Sequence, residues 1–116
     1  MLNVWRPIQP VSDNPLGLCE WSSLSPPDDT LEYGVEPTTA SNSIQPWKYK
    51  EGQKWWYLSN MRPDEAYVFM QHDNTAKNGH GINVPHASFK MVTDDPNISQ
   101  RSSVECRVMA FFEPLP

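Results

Sequence analysis

Residues 83 to 89 read NVPHASF, a short β-like run that places one histidine, His86, just after the glycine-bearing loop NTAKNGHG. A neutral imidazole has two uses at such a position. It can offer a ring-nitrogen lone pair to a metal, or it can pack and hydrogen-bond as a structural group. The residues of this segment leave both open. A second stretch, RSSVECRVMAFF at 101 to 112, carries a different signal. Successive side chains of a strand alternate faces, so Arg101, Ser103, Glu105 and Arg107 share one face while Val104, Cys106, Val108, Ala110 and Phe112 share the other. The polar row either faces water or lines a polar pocket inside a barrel. Its two arginines would lie roughly 20 Å apart at full extension, which suits a ligand with separated anionic ends or two separate tasks.

Other chemistry-bearing residues are less patterned. His72 is followed by Asp73 and Asn74, His80 by Gly81 and Ile82, and His86 by Ala87 and Ser88, so no histidine begins a His-x-Asp or His-x-Glu pair. His72 and His80 are expected to be solvated loop or strand-end residues. Cys19 and Cys106 form no CxxC or zinc-ligand spacing and read as small buried residues in a reducing cytosol. Asp64-Glu65 suits the cap of a turn, and Asp94-Asp95-Pro96 a loop turn. The aromatic cluster Trp47, Trp55, Trp56 and Tyr57 is expected in core and sheet packing, with the wall of a hydrophobic substrate pocket as the alternative.

These groups must be positioned by strands. Twelve prolines in 116 residues leave few ten-residue windows for a helix, and the chain reads as mainly β with long loops. Strands are expected at 2 to 8, 16 to 21, 67 to 72, around VPHASF and within 102 to 112. Two short strands are expected in WKYKEGQKWWYL around Glu51-Gly52. MRPDEA suits one helical turn, with Pro63 and the acids at its first positions. The segments 5 to 15 and 25 to 46 are expected to be surface loops, being rich in turn-formers.

The length admits one domain and one core, and residues 1 to 116 are taken as a single domain. Nine Lys and Arg against fourteen Asp and Glu give a net charge of −5, with the basic residues scattered. That argues against nucleic acid as a general partner. No apolar run approaches the length needed to cross a bilayer, so no membrane partner is expected and a cytoplasmic location is the default. The strand-like LNVWRPI begins at residue 2 with no lead-in, as though the chain were the tail of something longer.

Taken in order, NVWRPI, PLGLCE, WWYLSNMRPDEAYVF, QHDN, VPHASF and RSSVECRVMAFF resemble the C-terminal half of the fungal AsaB-type hydroxylase/desaturase family, which is related to the cephalosporin methoxylases. The resemblance covers essentially the whole chain. It implies a partial double-stranded β-helix of the jelly-roll or cupin type. It also implies iron(II)- and 2-oxoglutarate-dependent oxidoreductase (dioxygenase-like) chemistry on a small-molecule metabolite in secondary-metabolite biosynthesis. By that resemblance His86 is the distal histidine of a 2-His-1-carboxylate iron site. Arg101 with Ser103 is similar to the Arg-x-Ser pair that holds the far carboxylate of 2-oxoglutarate, Arg107 lies toward the metal end, and Asn3 is a candidate hydrogen-bond donor to the cosubstrate. His86 and Arg101 are then expected in one cavity, with an acceptor holding the second ring nitrogen of His86.

The same resemblance places the family's His-x-Asp pair on an earlier strand before NVWRP, so that this chain is expected to start just after that pair would have ended. One imidazole does not hold iron(II) firmly, so the chain alone is not expected to bind the metal tightly. The alternative to an oxidoreductase is therefore a catalytically inactive truncated remnant, or a non-enzymatic binding module built on the same half-barrel. Its uncovered strand edges are expected to favour self-association.

Overall fold

The computed structural model describes residues 1–31, 46–73, 75–76, 83–92, 95 and 97–113. Among these residues six strands follow one another: β1 (Leu2–Pro7), β2 (Leu16–Cys19), β3 (Trp55–Trp56), β4 (Tyr67–Met70), β5 (His86–Ser88) and β6 (Ser103–Val108). They form two three-stranded antiparallel sheets, one in the order β4-β1-β6 and the other β3-β2-β5. Each sheet thus joins strands distant in sequence, as expected of a jelly roll. The partial β-helix read from the sequence is the observed fold.

The core lies between the sheets. Trp5, Val11, Leu16, Met61 and Phe69 are buried together, with Leu18, Tyr67 and Val84 packed against them. Alternation explains the contributions of β1: Asn3, Trp5 and Pro7 face inward, while Arg6 on the opposite face is exposed. Pro7 sits in a central strand, where a proline normally costs a ladder hydrogen bond. Here β4 pairs only with Leu2 to Trp5, so its ladder has ended before Pro7 is reached.

Local differences from the sequence reading have physical causes. Segment 5 to 15 is not a surface loop, because Trp5, Val11 and Asp13 are buried and Val11 N–H donates to Met61 O at 2.9 Å. The helical turn falls at α1 (Pro26–Asp29) rather than at 61 to 66. Two prolines at its first positions and two acids in its first turn are the same N-terminal signature. The Asp29 side chain also accepts from Ser25 N–H at 2.7 Å. At 62 to 65 the chain makes only a turn, closed by Glu65 N–H on Arg62 O at 3.0 Å and by the Glu65 carboxylate accepting from Arg62 N–H at 2.8 Å. The reversal at Glu51-Gly52 is present, with Gly52 at φ +96°, a conformation that favours glycine. Trp47 pairs across to Thr30 instead of forming a hairpin strand. Most of the remaining loop expected at 25 to 46, together with His80, Asp94 and Pro96, lies outside the described residues.

The segment after β1 is tied to the segment after β5 by one carboxylate. Asp13 Oδ1 accepts the Met91 N–H at 2.8 Å and Oδ2 accepts from the Asn14 side-chain amide at 3.1 Å. The backbone donors of Met91 and Asn14 hold its pKa below the ordinary aspartate value. A group with a depressed folded-state pKa stabilises the fold above its unfolded pKa, and that contribution fades as pH falls through the folded value. The stability difference between wild type and Asp13→Asn, measured by urea unfolding, should therefore be largest at neutral pH and shrink as the solution is taken to about pH 3. A pH-independent difference would show that the carboxylate charge is not what matters.

Candidate functional site

The register of the first sheet decides which way the polar row of β6 points. Asn3 lies opposite both Phe69 and Arg107, Trp5 opposite both Tyr67 and Glu105, and Pro7 opposite Ser103. Directly paired residues share a face, so Ser103, Glu105 and Arg107 lie on the face that carries buried Asn3, Trp5 and Phe69. The polar row belongs to the interior side of the sheet. The apolar row lies on the other face, where Val104 and Val108 are exposed beside exposed Val68. This corrects the expectation for Cys106, which is exposed, whereas Cys19 is buried. Burial pushes the Cys19 thiol pKa up.

His86 opens β5 and faces the core, its ring 4.7 Å from that of Phe69 and tilted by 57°. Its Nδ1 lies 2.9 Å from Val84 O. A carbonyl oxygen only accepts, so Nδ1 carries the proton in that bond, and in the neutral ring Nε2 keeps the lone pair. His86 lines an open cavity of about 420 Å³ together with Arg107, Gln71, Asn83, Lys48 and Trp55. The cavity holds one imidazole, one guanidinium and two buried carboxamides, a set able to bind an anionic or carbonyl-bearing molecule beside a metal-competent nitrogen.

Arg107, not Arg101, shares this cavity with His86. Arg101 sits on the same face toward the other end of the sheet. Its Nη1 donates to Asn14 O at 2.7 Å and its guanidinium stacks 5.3 Å from the Trp5 ring centroid. The carbonyl it reaches belongs to a residue at φ 52°, the left-handed region that asparagine tolerates better than most residues. Asn3 is fully buried and donates from Nδ2 to Gln71 Oε1 at 2.6 Å, while its own Oδ1 has no partner among the described residues. It positions Gln71 rather than lining the cavity itself. Ser103 stands at the start of β6, opposite Pro7.

Gln71 and Asn83 were not among the residues singled out from the sequence, yet both are buried and both line the cavity. The signal for Gln71 was alternation, since Tyr67, Phe69 and Gln71 fall on one face of the strand expected at 67 to 72. His72, expected to be solvated, is buried at 8% exposure, with Nδ1 unpartnered among the described residues. Trp55, Trp56 and Tyr57 are exposed rather than in the core. With Tyr49, Ala87 and Phe89 they line a second, apolar cavity of about 400 Å³, closer to the pocket-wall alternative.

The described residues do not by themselves complete a metal centre. Among them no three His, Cys, Asp or Glu side chains are grouped to hold a metal ion. His86 fits as one ligand of an iron site, and the other ligands of a facial triad would have to come from elsewhere.

Comparison with known proteins is consistent along the whole chain. The hydroxylase/desaturase asaB of Aspergillus flavus is 30% identical over 129 residues, covering 100% of this chain and 56% of asaB. The Fe(II)/2-oxoglutarate-dependent dioxygenase nvfI of Aspergillus novofumigatus is 29% identical, covering 94% of this chain and 39% of its own. The solved structure of the iron and alpha-ketoglutarate-dependent endoperoxidase NvfI superposes with a TM-score of 0.65 at 28% identity, over 90% of this chain and 38% of that one. The chain therefore spans about half the length of asaB and less of nvfI. No helix among the described residues is long and apolar enough to cross a membrane. The model of the family described as "Oxidoreductase/YMDC permease-like domain" matches residues 1–111, and with that match over nearly all its length the chain belongs to this oxidoreductase family and groups with the fungal hydroxylase/desaturases.

Proposed function

We propose that this chain is the His86-bearing, C-terminal part of an iron(II)- and 2-oxoglutarate-dependent hydroxylase or desaturase that acts on a small secondary metabolite in the cytoplasm. The observation that carries the reading is His86, with Nδ1 committed to Val84 O and its ring lining a cavity that also holds Arg107 and Gln71. Bound iron would supply oxidising power toward an unactivated C–H bond. This chain's own residues would contribute one neutral imidazole, fixed in orientation by its carbonyl partner, and a guanidinium to hold a carboxylate. The grouping of metal ligands is incomplete within the described residues, which favours a second reading for the 116-residue chain on its own: an inactive remnant or binding module that self-associates through its strand edges.

Succinate release with iron(II), ascorbate and 2-oxoglutarate tests both. The 116-residue chain alone should release none above background. A chimaera joining the upstream part of asaB to this chain should turn over 2-oxoglutarate. Turnover by the short chain would refute the incomplete-site argument, and an inert but folded chimaera would leave the binding-module reading standing in place of the enzyme.

A further inference from the structure

We propose that two copies of this chain pair through the free edge of β6, antiparallel, with Cys106 directly opposite Cys106 of the second copy. This goes beyond the self-association named above, on which it rests, by specifying the edge and the register. Its argument makes no use of the oxidoreductase chemistry.

Among the described residues β6 is an outer strand of its sheet and pairs only with β1. Which of its backbone groups remain unpaired follows from one bond. Ile8 N–H donates to Ser102 O at 2.8 Å, and continuing the register one step past Pro7–Ser103 makes these two residues direct partners. Direct partners joined by such a bond form a hydrogen-bonded pair, and hydrogen-bonded pairs alternate with non-hydrogen-bonded ones. Val104, Cys106 and Val108 therefore turn their N–H and C=O groups toward β1. Ser103, Glu105 and Arg107 turn theirs outward, a row of donors and acceptors open to another strand.

Three two-fold registers pair at least two residues of that row with the row of the copy, and side-chain charge separates them. Pairing Glu105 with Glu105 of the copy sets like charges opposite each other. Pairing Ser103 with Glu105 of the copy brings Arg101 opposite the copy's Arg107, again like with like. Pairing Glu105 with Arg107 of the copy places opposite charges face to face twice, once for each half of the symmetric contact. On the other face the same register sets Val104 against Val108 twice, extending an exposed apolar face across both copies. Neither Glu105 nor Arg107 has an ion-pair partner among the described residues. In this register Cys106 meets its counterpart as a non-hydrogen-bonded pair, with Cα atoms about 4.5 Å apart, within the span a disulfide bridges.

Cys106 is exposed and Cys19 buried, so a mild thiol oxidant reaches the former. The test follows the whole chain by sedimentation from micromolar to millimolar concentration, and on a non-reducing gel after diamide treatment. A reversible dimer is expected, trapped by oxidation in wild type and Cys19→Ser but not in Cys106→Ser. Glu105→Arg or Arg107→Glu alone should each weaken dimerisation at least about tenfold, and the double exchange E105R/R107E should restore it, circular dichroism confirming that each variant folds. A chain that stays monomeric throughout would overturn both this register and the edge-association reading. A dimer without the Cys106 disulfide, or one indifferent to the single charge reversals, would overturn the register alone and point to another surface.

Discussion

Trp5→Ala should leave the chain largely unfolded at 25 °C. Trp5 is buried at 3% exposure in the central strand of its sheet. It supports Tyr67, whose ring centroid is 5.7 Å away, and carries the Arg101 guanidinium on its face. Truncating a buried tryptophan to alanine costs about 3–5 kcal/mol. Small domains hold only about 5–15 kcal/mol in total, so that loss is a large fraction of the whole. Loss of near-ultraviolet circular dichroism and of a cooperative urea transition would register the effect. Trp56→Ala is the matched control. Trp56 is 64% exposed, its indole N–H donating to the Glu20 carboxylate at 3.1 Å, and its loss should cost about 1 kcal/mol or less. Equal destabilisation by the two substitutions would mean that the core is not where the burial pattern puts it.

In the chimaera, His86→Ala should lower succinate release at least about a hundredfold, because removing a ligand costs more than the 10–100-fold typical of a ligand's supporting partner. The cavity geometry adds a finer expectation. Arg107→Ala should raise KM for 2-oxoglutarate by about tenfold or more, the loss of one or two charge-assisted hydrogen bonds. Arg101→Ala should lower stability through the lost Asn14 and Trp5 contacts. If instead Arg101→Ala raises KM while Arg107→Ala leaves it unchanged, the carboxylate is held at the Trp5 end, as the Arg-x-Ser likeness implies. An active His86→Ala chimaera would return His86 to a packing role on Phe69.

Strands were legible wherever alternation or a proline boundary marked them. β1, β4 and β6 each appear within the runs expected, because their β-branched and aromatic residues are bounded by turn-formers. The inward direction of β6 was not legible. Its apolar row, Val104, Cys106 and Val108, looks like a core face, and only pairing with Asn3 and Trp5 shows that the polar row faces inside. The helical turn was misplaced because SPPDD and MRPDEA carry the same proline-then-acid signal, and local sequence does not say which segment closes an intrahelical bond. Gln71 and Asn83 were missed for a related reason. A carboxamide at the end of a strand reads as a surface residue until a neighbour such as Asn3, itself fully buried, is seen to hold it. The exposed aromatics at 55 to 57 show the converse error, since hydrophobicity alone does not tell whether anything lies on top.

Arg107 belongs at once to the wall of the His86 cavity and to the strand edge beside it. A guanidinium has a single set of donors, so an anion held in the cavity and a carboxylate presented at the edge draw on the same group. Thermodynamic reciprocity then requires each to weaken the other's binding by the same factor. Cavity occupancy and edge pairing are in that sense one equilibrium: a dicarboxylate would act on this chain as a dissociating agent, and association would act as a competitive inhibitor of the cavity.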